Sequence, residues 1–288
     1  MTESRIRETL VSIGAISQDR VVPFAARTRD NETAVFRDTK SGVIFIDDFY
    51  VGEAEYEAGD YRGVDAPSLE DRSDTGRRVQ AFSHLYQGRA ILDFGCGAGG
   101  FLRNVRHLCE KSFGLELQRS YRDALNSDGI PCFTDISDCP LGLDACFMFH
   151  VLEHLPDPLQ VLSRIRDHLD PDTGTLVVEV PHARDFLIST LRSEAFIAFT
   201  LWSQHLVLHT RDSLRLLLEA AGFTDVQIYG VQRYGLANHL TWLSKEKPGG
   251  HRGPLALLET EDLRESYALS LSRMDANDTL LATARVAP

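Results

Sequence analysis

The segment His150-Val151-Leu152-Glu153-His154-Leu155-Pro156-Asp157-Pro158 places two imidazoles and a carboxylate at spacings of i, i+3 and i+4. On a helical turn that spacing puts His150, Glu153 and His154 on one face. Three uses fit such a face. An imidazole titrating near neutrality suits a general base that takes a hydroxyl proton. Neutral imidazoles with a carboxylate suit a divalent metal, Mn²⁺, Fe²⁺, Co²⁺ or Zn²⁺ and less well Mg²⁺. Without chemistry, Glu153 and His154 would cap a helix and orient their neighbours. His150, Glu153 and His154 are therefore the candidate catalytic residues.

A second constellation is Ile91-Leu92-Asp93-Phe94-Gly95-Cys96-Gly97-Ala98-Gly99-Gly100-Phe101-Leu102. An apolar run gives way here to a helical pattern through glycines, which let a backbone turn sharply and a ligand approach it. The helix N-terminus beyond can receive a negative group. Gly95, Gly97 and Gly100 also satisfy the dinucleotide fingerprint, a weak signal alone. Asp93 shifts the reading: it suits a cationic amine and opposes a pyrophosphate. The next apolar run ends on Glu116, whose carboxylate can accept both hydroxyls of a ribose. Cys96 reads as a small packing residue, since the sequence sets no base beside it.

These residues need a scaffold that brings loop ends together. From residue 90 onward, apolar runs at 90–94, 112–115, 145–149 and 175–180 alternate with helix-length segments at 100–108, 121–128 and 159–169. Strands separated by helices mean βαβ units and a mostly parallel sheet, with ligands at the carboxyl ends of its strands. A helix is expected over 66–86 and another over 212–221, with Gly222 after it. Residues 225–229 alternate like an edge strand, 244–254 read as a Pro/Gly-rich loop, and 259–284 as a final amphipathic helix. The expected organisation is an N-terminal region with short strands over 1–65, a core domain over 66–231, and a C-terminal extension over 232–288 that helps form a substrate pocket.

Composition narrows the partners. Acidic residues number 42 against 30 Lys and Arg, for a formal net charge of −12. That field opposes a nucleic-acid groove. No run of about 18 apolar residues predicts a membrane span. Cys96, Cys109, Cys132, Cys139 and Cys146 are odd in number and form no CxxC pair, which argues against a disulfide framework or a Cys-rich zinc site. With no signal-peptide pattern at the N-terminus, a cytoplasmic location is expected. A homodimer is left open.

Residues 90–225 resemble the class I S-adenosylmethionine-dependent methyltransferases, in the branch similar to the ubiquinone-biosynthesis O-methyltransferases. Asp93, Gly95, Gly97 and Gly99 match the family's glycine-rich motif, Glu116 its ribose-binding acid, and Asp135 its adenine-contacting acid. The resemblance implies a Rossmann-like α/β fold: a mostly parallel seven-stranded sheet with helices on both faces. It implies S-adenosyl-L-methionine as cofactor, with Cys96, Leu117, Ile136 and Phe149 also lining its site. Tyr56 and Tyr61 would either lie over the cofactor, as an N-terminal aromatic segment does in related enzymes, or simply pack the entry segment; Arg77 would either reach the methionine carboxylate or stand as a solvated helix arginine. The His/Glu segment further resembles the metal motif of small-RNA 3′-terminal ribose 2′-O-methyltransferases. Glu153 and His154 match two ligands there, His205 matches a later one, and His150 stands where that family has a glutamate. This implies a metal set of His150, Glu153, His154 and His205, although the acidic charge opposes an RNA substrate.

Residues 232–243 are dense in donors and aromatics and look like the C-terminal part of bacterial sugar- and glycan-associated methyltransferases. Arg233, Asn238 and His239 would hydrogen-bond a polyol, with Tyr234 or Trp242 stacking on a ring. Alternatively the same stretch packs Leu236, Leu240 and Leu243 into the core. The expected activity is methyl transfer to a hydroxyl of a sugar or small polyhydroxylated metabolite. Carbon methylation of a keto-sugar, a nicotinamide-dependent oxidoreductase and a non-catalytic cofactor-binding protein are the alternatives.

Overall fold

Near-continuous apolar runs in short strands give a sheet that is buried on both faces. The computed structural model describes residues 5–47, 52, 57 and 69–287. Its strands are β1 (Val21–Ala25), β2 (Val35–Asp38), β3 (Ile44–Ile46), β4 (Ala90–Phe94), β5 (Lys111–Leu115), β6 (Cys132–Phe133), β7 (Ala145–Phe149), β8 (Thr175–Pro181), β9 (Val207–Leu208), β10 (Phe223–Val231) and β11 (Thr279–Val286). The main sheet runs β10-β11-β8-β7-β4-β5-β6. β4 to β8 pair in parallel, and β11 lies antiparallel to both of its neighbours. This is the expected Rossmann-like α/β fold.

One face of the sheet carries Leu92, Cys146, Met148, Leu176 and Val178, packed on Leu162, Ile165, Leu214, Leu217 and Leu218. Those partners come from the helices Pro158–His168 and Arg211–Ala220. The residues one position along the strands, Ile91, Ala145, Phe147 and Val177, face Phe82, Tyr86, Phe101, Leu102 and Leu125 on the other side. A smaller antiparallel sheet, β1-β2-β3-β9, joins the N-terminal strands to a strand from the segment between β8 and the helix Arg211–Ala220. The main and small sheets meet where His182 bridges His209.

Several expectations at the element level are corrected. The helix expected over 66–86 is two, Leu69–Ala81 and Ser83–Tyr86, broken at Phe82. The tail expected as one helix over 259–284 is a helix, Glu261–Arg273, followed by β11. Leu280, Ala282 and Ala284 fill the core between β8 and β10, so the main sheet takes a strand from beyond residue 231. None of the described helices is long and apolar enough to cross a membrane.

Candidate active site

β4 ends at Phe94, and the chain turns through the glycines into the helix Gly100–Val105. Gly95, Gly97 and Gly99 have φ of 71°, 54° and 75°. A Cβ on Gly95 would stand 2.5 Å from the Val151 side chain, so the loop lies directly against the segment that follows β7. Gly95 and Cys96 both donate their N–H to the Leu115 carbonyl, at 2.8 and 3.1 Å. Gly97 donates to Glu116 Oε2 at 2.7 Å, and Gln118 N–H donates to Glu116 Oε1 at 2.7 Å. Burial raises the Glu116 carboxyl while these N–H groups oppose the rise. Asp93 is 3 % exposed. Burial lifts its carboxyl to about 7, with Arg78 working against the rise and Glu116 adding to it. A buried carboxylate in that position is stabilised by a cationic amine.

The remaining cofactor candidates fall into different settings. Cys96 Sγ lies 3.9 Å from Cys132 Sγ, beneath the loop. Leu117 offers its carbonyl to Arg122, at 3.3 Å. Asp135 caps the turn Ile136–Asp138, accepting Ser137 N–H at 2.8 Å, and pairs with Arg164. The Ser137 hydroxyl and N–H, with Arg164, hold it down to about 2. Ile136 is buried in the main core, and the Phe149 ring lies 4.2 Å beneath the Arg78 guanidinium. Arg77 is already engaged: it donates to both oxygens of Glu179, at 2.7 and 3.0 Å, and to Asp74 at 3.4 Å. In place of an arginine open to a ligand carboxylate, the structure shows one held by two buried carboxylates. Tyr56 and Tyr61 lie outside the described residues.

The His/Glu segment is built differently from the helical turn its spacing suggests. His150 adopts a left-handed φ of 59°, with its N–H donated to the Glu179 carbonyl at 2.9 Å, and Leu152–His154 is a 3₁₀ turn. His150 and His154 therefore do not share one α-helical face. His150 Nδ1 lies 3.2 Å from Glu153 Oε1, and among the described residues His150 Nε2 has no partner. Glu153 is completely buried, and among the described residues its Oε2 has no partner either. His154 Nδ1 lies 2.8 Å from the Gln204 carbonyl. A carbonyl only accepts, so Nδ1 carries the proton and Nε2 keeps the lone pair. His205 arrives on the loop between the helix Glu194–Thr200 and β9, its ring 5.0 Å from that of His154 and 5.3 Å from that of Trp202.

Glu153, His154 and His205 thus each offer one ligand atom, all within 4.8 Å of one another. His150 stands outside this group, which corrects the four-residue set implied by the sequence. Burial pushes the Glu153 carboxyl up to about 8 and the His154 imidazole down to about 4, and it holds His150 and His205 well below the usual imidazole range. A bound cation reverses such directions, because it favours the carboxylate and neutral imidazoles together.

The sequence reading missed a buried charge lattice beside this site. Glu179, completely buried at the end of β8, receives Arg78 as well as Arg77. Asp74 pairs with Arg233, whose Nε donates at 2.8 Å. Asp278 accepts the N–H groups of Arg233 and Tyr234, each at 3.0 Å. The signal available was Glu179 itself, a charge inside the apolar run of β8.

The expected polyol-binding row is also redistributed. Arg233 and Tyr234 stay near the lattice, their guanidinium and ring 5.6 Å apart. Asn238 is buried and accepts Gly250 N–H at 3.3 Å. His239 is buried too, with Nδ1 2.7 Å from the Tyr267 hydroxyl and its ring stacked on Phe186. Both side chains hold the C-terminal elements together. The helix Leu236–Lys245 buries Ala237, Asn238, His239, Thr241 and Trp242, while Leu243 is 53 % exposed. Leu236 and Leu240 are half-buried, so the packing expected for the three leucines fails at Leu243.

The sequence profile of a family described as "Methyltransferase domain" matches residues 70–228. No curated protein matches the chain. Among solved structures, a SAM-dependent methyltransferase from Archaeoglobus fulgidus is 19 % identical, with a TM-score of 0.51 and coverage of 74 % of this chain and 93 % of that one. Phosphoethanolamine N-methyltransferase 2 of Haemonchus contortus, solved with S-adenosyl-L-methionine, is 13 % identical, with a TM-score of 0.52 and coverage of 85 % and 63 %. At these identities the likeness is one of fold.

Proposed function

The chain belongs to the methyltransferase-domain family, and on that premise we propose that it uses S-adenosyl-L-methionine to methylate a hydroxyl of a sugar or small polyhydroxylated metabolite. The observation that carries the reading is the Glu153–His154–His205 cluster, set just beyond the point where Val151 touches the glycine loop. The loop side fits the cofactor: the buried Asp93 carboxylate suits its ammonium group, and Glu116 suits its ribose hydroxyls. The cofactor supplies a methyl group already activated by a sulfonium, so the protein must mainly align and deprotonate the acceptor.

In this reading His150 takes the hydroxyl proton: its Nδ1 faces Glu153, which fixes the ring, and its Nε2, on an imidazole that burial keeps neutral, carries the lone pair that would receive it. Glu153 Oε1 then faces the imidazolium that results, as the orienting carboxylate of a triad does. The second oxygen of Glu153, with His154 and His205, suits a divalent cation of the Mn²⁺, Fe²⁺, Co²⁺ or Zn²⁺ type. Such an ion would supply a Lewis acid that lowers the pKa of a neighbouring hydroxyl.

The test is a calorimetric titration of Mn²⁺ and Mg²⁺ into protein saturated with S-adenosylhomocysteine, beside a His154→Ala/His205→Ala variant. One site per chain, lost in the variant, supports metal-assisted O-methylation. Absence of metal binding removes the ion, leaves His150 as the base, and puts carbon methylation of a keto-sugar on an equal footing. Failure of S-adenosylhomocysteine to bind overturns the cofactor assignment.

A further inference from the structure

Away from this site, three arginines converge where the small sheet meets the segment after β8. Arg37 lies on β2, Arg184 three residues beyond β8, and Arg192 between the helices Phe186–Ser189 and Glu194–Thr200. A Cβ built on Gly42 would stand 3.6 Å from Arg37 Nη2 and 3.8 Å from both Arg184 Nε and the Thr210 methyl, so the two guanidinium groups converge on one stretch of backbone. Arg192 is held at a left-handed φ of 49°, a conformation that disfavours a non-glycine residue and marks a constrained position.

The cluster is under-neutralised. Among the described residues no carboxylate lies within ion-pairing distance of Arg37 or Arg192. Arg37 instead stacks over the Phe24 ring at 5.6 Å. Arg184 pairs with Asp275 at 3.0 Å, but Asp275 is shared with Arg211. Partial burial lowers the proton affinity of Arg37, and the charges of Arg192 and Arg184 lower it further. In a chain with 42 acidic residues against 30 Lys and Arg, uncompensated like charges at one place need an explanation. Surface arginines with carboxylates to spare would ordinarily be paired.

We propose that Arg37, Arg184 and Arg192 form a phosphate-binding site beside Gly42. Planar guanidinium forks match the tetrahedral oxygens of a phosphoryl group, and more than one of them suits a dianion better than a single carboxylate. With no side chain on Gly42 to hold them apart, the Arg37 and Arg184 guanidinium groups converge closely enough to share one anion. The phosphoryl group is either free phosphate or part of a phosphorylated sugar. This site is independent of the cofactor and metal assignments above.

The experiment is a titration of inorganic phosphate into the full chain by calorimetry, at ionic strength held constant with chloride. Saturable binding that weakens at least tenfold in Arg37→Ala/Arg192→Ala is expected. Should the double variant fail to fold, the exposed Arg192→Ala alone is expected to weaken binding several-fold. A parallel titration with a hexose 1-phosphate separates the sources. Tighter binding than inorganic phosphate assigns the site to a phosphorylated sugar, and equal binding assigns it to phosphate itself. No saturable binding by the native chain, or binding unchanged in the variants, overturns the proposal.

Discussion

Glu116 Oε2 accepts the amide N–H of Gly97 at 2.7 Å, a bond that joins the end of β5 to the middle of the glycine loop. The same carboxylate suits a ribose, so it shapes the loop and would contact the cofactor. Glu116→Ala is expected to weaken S-adenosylhomocysteine binding at least tenfold, about 1.4 kcal/mol. The fold should be kept, because the variant relieves a partly desolvated carboxylate. Calorimetry with a thermal melt separates the two effects, and unchanged affinity would contradict the role.

Gly114 is the reason two sulfurs can meet under the loop. A Cβ there would lie 2.8 Å from Cys96 Sγ and 3.1 Å from Cys132 Sγ. Gly114→Ala should therefore destabilise the chain by about 1–3 kcal/mol, the usual cost of overpacking. Adding Cys96→Ala should recover part of that loss, since it removes the nearest atom. Urea denaturation of the two singles and the double gives the coupling, and strict additivity would mean the strain lies elsewhere.

The helix Leu236–Lys245 exposes Leu243 and buries His239, which makes a prediction opposite to the one its sequence suggests. Leu243→Gln should change stability by no more than about 0.5 kcal/mol, as for other exposed sites. His239→Ala should cost about 2 kcal/mol or more, through the lost ring packing and an unpaired Tyr267 hydroxyl. Chemical denaturation of both variants decides the matter, and the reverse ranking would place the helix the other way round.

Asp38 ties the small sheet to pH. Burial alone would raise its carboxyl, but N–H groups of Ser41, Ser17 and Lys40, with the Arg20 guanidinium, hold it down to about 2. A depressed acid stabilises the fold above its unfolded pKa, near 3.8 for this group, and that contribution fades as pH falls toward 2. The native chain should lose about 2 kcal/mol more than Asp38→Asn between pH 5 and pH 2. Parallel pH-stability curves for the two proteins would refute this.

What could be read from the sequence was what local pattern encodes. The glycine loop, Glu116 and the strands β4 and β7 follow from short runs whose period and punctuation are self-sufficient. The arrangement of His150 was not legible, because its spacing is the same on an α-helix and on the left-handed residue and 3₁₀ turn observed. β11 was hidden for a related reason. Its Leu280, Leu281, Ala282 and Ala284 suit a helix as well as a strand, and only the gap between β8 and β10 selects the strand. The buried face of the helix Leu236–Lys245 depends on Tyr267 and Gly250, partners that no local pattern reveals.

The position of β11 also shapes how the chain is born. β8 and β10 are both made well before residue 279 leaves the ribosome, yet they do not touch each other in the sheet. Until β11 emerges, each keeps an unmet row of backbone donors and acceptors, the template by which strands of neighbouring chains join. Stalled synthesis or clipping within residues 246–278 would thus leave a product with the glycine loop complete but with two open edges, prone to aggregate. Chaperone capture of nascent chains should therefore peak in the interval before β11 slots between its neighbours.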